Sequence, residues 1–219
     1  MVRPSAVDPP QISALLWDGF GGAYGWDVGA NCGQTILTMC QLFDRFTCFE
    51  PCAGSFGFAR ATFGFADIRQ LAVSDHDGEL ELAFPAAEQR ETGQLVTPGL
   101  KGMEWEPEDW GAVEKVTVPC RTADSLAAEL GAPDFMKIDT EGHEAAILAG
   151  ARGLIASGRT DFLIEFHSPD NYWQCHGVLE AADYRRNTVR HPGYASGSHM
   201  WHQHGWIKAF APRRLSGHG

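Results

Sequence analysis

The sequence predicts a doubly wound α/β domain, and three observations predict it. Apolar runs of strand length alternate with segments of helical periodicity, the pattern of a mostly parallel sheet with helices on both faces. The first run passes directly through a glycine loop into a helix, in Tyr24 to Thr35, YGWDVGANCGQT. An acidic residue, Glu50, ends the next apolar run about 20 residues beyond that loop, where such domains meet a ribose. With 219 residues the chain has room for one domain with a sizeable core and too little for two, so residues 1–219 are read as one domain.

Taken in order, Pro4, Pro9 and Pro10 make an extended lead-in, and Ile12 to Trp17 can form a short helix beside the loop. Trp26 to Val28 ends a buried strand, Gly29 to Gly33 forms the loop, and Gln34 to Leu42 is the following helix. Glycine in such a loop is expected to let a ligand approach the backbone and the helix N-terminus. The dinucleotide fingerprint G-x-G-x-x-G has glycine where the backbone meets a pyrophosphate; here Asn31 takes that place. Asp27, just before the loop, would repel a pyrophosphate and suits a cation. S-adenosylmethionine, with an ammonium, a sulfonium and no phosphate, fits D-x-G-A-N-x-G better than NAD does.

Phe46 to Phe49 is the second strand, Ser55 to Phe63 a helix and Ile68 to Ser74 the third strand. Asp77-Gly78 signals a hairpin turn into the alternating ELELAF, with Lys115 to Pro119 as return strand. Residues 86–112, with Trp105 and Trp110, read either as a lid or substrate-binding insertion or as a loop whose tryptophans pack on the sheet. A short helix over Asp124 to Leu130 ends at Gly131, and Asp134 to Asp139 is the fourth strand. Ala145, Ile147, Leu148, Ala151, Leu154 and Ile155 recur at helical spacing, with Glu141 and Glu144 in the first turn of one amphipathic helix. Asp161 to Phe166 is the fifth strand, Tyr172 to Tyr184 a helix, Thr188 to His191 the sixth strand and Trp206 to Ala211 the seventh.

YGWDVGANCGQT, CFEP, QLAVSDHDGELEL, VTVPCRTADSL, DFMKIDTEGHEAAILAGARGLI and FLIEFH together resemble the ordered motif series of the FkbM-type S-adenosylmethionine-dependent methyltransferases. The resemblance spans roughly residues 24–211, and the order of the motifs is more specific than any one of them. It implies a Rossmann-like class I methyltransferase fold, seven strands with the antiparallel last one inserted between its neighbours. It also implies S-adenosylmethionine as cofactor, held by Asp27, Gly29, Asn31, Gly33, Thr35 and Glu50, with adenine near Ala72 and Val73. The acceptors it implies are hydroxyls of sugars, polyketides or other secondary metabolites, hence O-methyl transfer to a small molecule or glycan.

Methyl transfer from a sulfonium is an in-line displacement, so the enzyme aligns acceptor and methyl group and, for a hydroxyl, removes its proton. A base is expected at the carboxyl ends of the strands, where Asp139, His143, Glu165 and His167 stand. His167 is the preferred base, since an unperturbed imidazole has a pKa of about 6.5; the alternative is a histidine capping the strand end. Asp139 is expected to touch the acceptor or the cofactor's amino-acid end. Asp139, Glu165 and His167 could hold a divalent metal, but the spacing does not require one and no metal ligands are assigned. His199, His202 and His204 form a second cluster, read as a surface loop or acceptor-site edge rather than a zinc site.

A net charge of −11 argues against nucleic acid as a substrate, because phosphate contacts need a basic face. The N-terminal residues lack the apolar core of a signal peptide and no run approaches membrane-spanning length, so a cytoplasmic protein is expected. Six cysteines without metal-finger spacing read as reduced thiols. Two rivals stay open. An NAD-dependent oxidoreductase would share the loop and the ribose contact but would need the missing glycine and a hydride-transfer constellation. A non-catalytic adenosyl-binding module would keep Asp27 and Glu50 and need no base.

Overall fold

A computed structural model describes residues 16–85, 113–190 and 205–212. Strand β1 (Gly22–Val28) is the centre from which the chain winds outwards. Its first crossover runs through helix α1 (Ile36–Leu42) to β2 (Phe43–Phe49), and the second through α2 (Ala53–Thr62) to β3 (Asp67–Arg69). The chain then forms β4 (Ala72–Ser74), β5 (Gly78–Pro85), β6 (Val113–Thr122) and α3 (Ala123–Leu130). It returns to the other side of β1 with β7 (Phe135–Ile138), α4 (Glu144–Ala149), α5 (Arg152–Ser157), β8 (Asp161–Phe166), α6 (Pro169–Ala181), β9 (Arg185–Arg190) and β10 (Gly205–Phe210).

The main sheet has seven strands in the order β3-β2-β1-β7-β8-β10-β9. The first five are parallel, and β10 lies antiparallel between β8 and β9. The expected seven-stranded sheet with an inserted antiparallel strand is therefore observed. One face carries Trp26, Val28, Met136, Ile138, Phe162, Ile164 and Ile207, packed under Leu126 of α3, Ile147 and Leu148 of α4, Leu154 of α5 and Leu179 of α6. The other is covered by Met39 of α1, Ala59 of α2 and the lead-in residues Leu16 and Phe20. Leu16 and Phe20 meet Phe135, at the start of β7, so the lead-in covers the strand's amino end rather than the glycine loop. Residues 12–15 of the expected lead-in helix, the 86–112 insertion and the His199, His202 and His204 cluster lie outside the described residues.

Three expectations are corrected. The single third strand is two: Arg69 and Gln70 interrupt the apolar run, Leu71 N–H donates to the Arg69 carbonyl, and Ala72–Ser74 leaves the main sheet. It joins a three-stranded sheet in the order β4-β6-β5, so Asp77-Gly78 links two strands that flank β6 rather than pairing with each other. Asp77 instead accepts hydrogen bonds from Thr122 N–H and the Ser125 hydroxyl, fixing the turn to the start of α3.

The amphipathic helix is also two, and Glu141 precedes it in a turn with φ of 55°. The break comes at Gly150, where a Cβ would stand 2.0 Å from the Ser74 carbonyl oxygen. Asp124 then caps the new helix start, accepting from Gly153 N–H at 2.7 Å and Leu154 N–H at 2.9 Å. Gly150→Ala must push β4 off the helix pair and is expected to cost about 1–3 kcal/mol, the usual range for overpacking. Urea denaturation measures it; an unchanged midpoint would show that β4 and the helices separate freely.

Candidate functional site

The loop after β1 is built against the ends of β2 and β7. Gly29 and Ala30 N–H groups both donate to the Phe49 carbonyl, and Asp139 N–H donates to the Val28 carbonyl. The glycines are required by this packing. At Gly29, φ is 79° and a Cβ would lie 1.8 Å from the Asp139 carbonyl oxygen; at Gly33, φ is 85° and the place of a Cβ is filled by the Phe63 ring. Asn31 also takes a left-handed conformation, φ 49°, which asparagine tolerates better than most residues.

Glu50 closes the loop from below. Its carboxylate accepts from Asn31 N–H at 2.9 Å and Cys52 N–H at 2.8 Å. Burial pushes its pKa up to about 7 against the pull of those two donors. The Thr35 hydroxyl, at the start of α1, donates to Asp27 Oδ2. Asn31 Oδ1 is buried with no hydrogen-bond partner among the described residues, an acceptor left for a ligand's N–H or O–H. Buried acidic groups and an unmet acceptor suit the cationic, hydroxyl-bearing S-adenosylmethionine. Ala72 and Val73 turn their side chains into the core, so only their backbone is left to face an adenine.

The cation that Asp27 attracts is in the protein. Lys137, its register partner on β7, stands 3.1 Å from Asp27 Oδ1 and 3.3 Å from Asp139 Oδ2, and donates to the Gly29 carbonyl at 3.4 Å. Burial would strip its proton, but the two carboxylates prevail and raise its pKa. Lys137 thus ties the glycine loop to the end of β7. Sequence reading passed over it, although a lone lysine in the apolar run FMKI, two residues from Asp139 and so on the same sheet face, was the available signal.

Beyond Lys137, four acidic residues surround His167. Its Nδ1 meets Glu144 Oε1 at 3.2 Å; its Nε2 lies 3.4 Å from Glu141 Oε2, 3.8 Å from Asp139 Oδ1 and 3.9 Å from Glu165 Oε1. Glu144 is fully buried and also accepts from Thr140 and Gly142 N–H, so it is the anchor of this turn rather than a helix-end charge. Burial would lower the His167 pKa, but the Glu144 hydrogen bond and the charges of Glu144, Glu141 and Asp139 outweigh it and raise the value to about 10. His167 therefore keeps its proton at neutral pH, the state opposite to that of a free base. Burial and the Asp139 charge push Glu165 up to about 8, and Trp206 Nε1–H donates to it at 3.1 Å from the neighbouring β10.

The structure brings Asp139, Glu165 and His167 together, with Asp27 joined to them through Lys137. His143 stands apart: its Nε2 bonds the Ser74 hydroxyl at 2.9 Å, on the β4 side. All six cysteines are free thiols. Among the described residues no helix is long and apolar enough to cross a membrane.

The family model for the methyltransferase FkbM domain matches residues 27–195. Among solved structures, the chain is similar to the methyltransferase FkbM from Methylobacillus flagellatus KT, at 16% identity and a TM-score of 0.62, covering 93% of this chain and 48% of that one. The chain thus spans about half the length of that relative. Precorrin-6y C5,15-methyltransferase from Geobacter metallireducens GS-15 superposes with a TM-score of 0.53 at 12% identity, over 96% of this chain and 93% of that one. Fibrillarin from Aeropyrum pernix, solved with natively bound S-adenosyl-L-methionine, gives 0.51 at 12% identity, over 91% and 74%. No curated protein sequence matches the chain. The strand order is that of the class I methyltransferases and the family model covers most of the length: the chain belongs to the FkbM methyltransferase family.

Proposed function

We propose that the protein transfers a methyl group from S-adenosylmethionine to a hydroxyl oxygen of a small molecule or glycan. The observation that carries this reading is the placement of Asp139, Glu165 and His167 at the ends of adjacent strands, joined through Lys137 to the glycine loop whose Asn31 N–H is held by Glu50. Asp27, Gly29, Asn31, Gly33, Thr35 and Glu50 form the cofactor end, with the backbone of Ala72 and Val73 beside the adenine. The cofactor supplies an electrophilic methyl group. Asp139, the more open of the pair at 28% side-chain exposure, accepts the proton of the acceptor hydroxyl, and the protonated His167 beside it balances the charge of the cluster. A non-catalytic adenosyl-binding module would have no use for such a buried ionic cluster, which is costly to maintain.

Calorimetric titration with S-adenosylhomocysteine, S-adenosylmethionine and NAD tests the reading. Micromolar binding of the adenosyl ligands, about −8 kcal/mol, is expected, and none of NAD; binding of NAD alone would overturn it. Glu50→Gln should weaken S-adenosylhomocysteine by roughly 10- to 100-fold, the range for a hydrogen bond to a charged group. Of the charged groups facing Glu50, Asp27 opposes its ionisation and Lys137 favours it. Because its pKa is raised, Glu50 is ionised and ready to accept ribose hydroxyls only above about pH 7. Affinity should therefore fall as pH drops from about 8 to 6 and stay flat in the glutamine variant. An equal pH slope in both proteins would remove Glu50 from the ribose contact.

A further inference from the structure

We propose that Asp139, Glu141 and His167 form a binding site for one divalent transition-metal ion of the manganese or iron class. A ligand atom from each of the three lies within 4.8 Å of those from the other two. His167 Nε2 stands 3.4 Å from Glu141 Oε2 and 3.8 Å from Asp139 Oδ1. Neighbouring ligands around a six-coordinate ion with bonds of about 2.1–2.3 Å are roughly 3.0–3.3 Å apart, so the Glu141 pair is already near that spacing and the two carboxylates, which are the more exposed members, have to draw in to close the shell. Two carboxylate oxygens with one imidazole nitrogen favour manganese or iron over the all-oxygen preference of magnesium and calcium.

The surroundings of the triangle point the same way independently of its members. Glu144, outside the ligand set, takes the other imidazole nitrogen at 3.2 Å, the carboxylate–histidine arrangement that orients a metal-binding ring, and Nε2 gives up its proton when the ion binds. Glu144 Oε2 is buried with no hydrogen-bond partner among the described residues. Among the described residues the linked carboxylates Asp27, Asp139, Glu141, Glu144 and Glu165 pair with two cationic groups, Lys137 and His167, so a further positive charge is favoured here. Glu165 is a neighbour rather than a ligand: its Oε1 is 3.9 Å from Nε2, and its Oε2 accepts from Trp206. The open sides are those of Asp139 and Glu141, whose side chains are 28% and 36% exposed. Water or the oxygen of the acceptor can complete the shell there. The use given to the ion, holding and polarising an acceptor oxygen, rests on the proposed methyl transfer; its binding does not.

The experiment is titration of the chelator-treated full chain with Mn2+, followed by electron paramagnetic resonance of free Mn2+ and by calorimetry. One site of micromolar affinity is expected, weakened at least about tenfold in Glu141→Gln and in Asp139→Asn, in line with loss of one ligand. S-adenosylhomocysteine titrated into Glu141→Gln checks that the variant is folded. No Mn2+ binding up to millimolar concentration, or binding that survives both substitutions, overturns the site. The two readings fail separately: adenosyl binding without Mn2+ binding removes only the ion, and Mn2+ binding without adenosyl binding removes only the proposed reaction.

Discussion

Lys137→Met is expected to destabilise the protein by about 3–5 kcal/mol, the cost of leaving a buried charge without its partner. Asp27 is fully buried, and its Oδ1 has Lys137 Nζ at 3.1 Å. Methionine fills much the same volume, so lost packing contributes little and the loss reads the electrostatics. The double substitution Lys137→Met, Asp27→Asn should recover a large part of the loss, because the orphaned charge goes with it. Denaturant unfolding of the wild type, both singles and the double makes the cycle. A single-variant loss below about 1 kcal/mol, the level of a surface pair, would show that the ion pair does not hold the loop to β7.

His167→Ala is expected to slow methyl transfer by about two to four orders of magnitude while leaving S-adenosylhomocysteine affinity within a few-fold of wild type. The separation follows from the structure: His167 contacts Glu144, Glu141, Asp139 and Glu165, whereas the glycine loop is held by Glu50, Lys137 and the Phe49 carbonyl. Production of S-adenosylhomocysteine, measured with an acceptor found by screening hydroxyl compounds, supplies the rate. Equal loss of binding and turnover would refute a role in the chemical step and return His167 to a strand-end cap.

What could be read from the sequence was what depends on local pattern. The strands and helices of the main sheet follow apolar periodicity, and their observed bounds differ mostly by a few residues at the ends. The loop carries its own signals in Asp27, Gly29, Asn31, Gly33 and Glu50. What could not be read depends on which strand becomes whose neighbour. Asp77-Gly78 looks locally like a hairpin, yet β6, arriving much later in the chain, takes the place between β4 and β5. The break at Gly150 is dictated by the Ser74 carbonyl, a contact between distant residues, while the helical spacing itself runs on unbroken across it. The electrostatic setting of His167 is illegible in the sequence for the same reason. An unperturbed imidazole is the right starting point only until Glu144, Glu141 and Asp139 converge on it.

The position of β10 sets an order of events in folding. Among the described residues β9 is joined to the sheet through β10 alone, and β10 pairs with β8 on its other side. The edge cannot therefore be zipped outwards in chain order: β9 must wait unpaired until the residues up to Phe210 return and fill the gap. Loop closure of this kind is slow compared with local helix formation. Until then β8 presents an open edge, and Glu165 lacks the indole donor that Trp206 brings from β10. The Glu165 end of β8 thus completes its pairing only when β10 arrives, and a partly folded chain exposes that edge to mispairing.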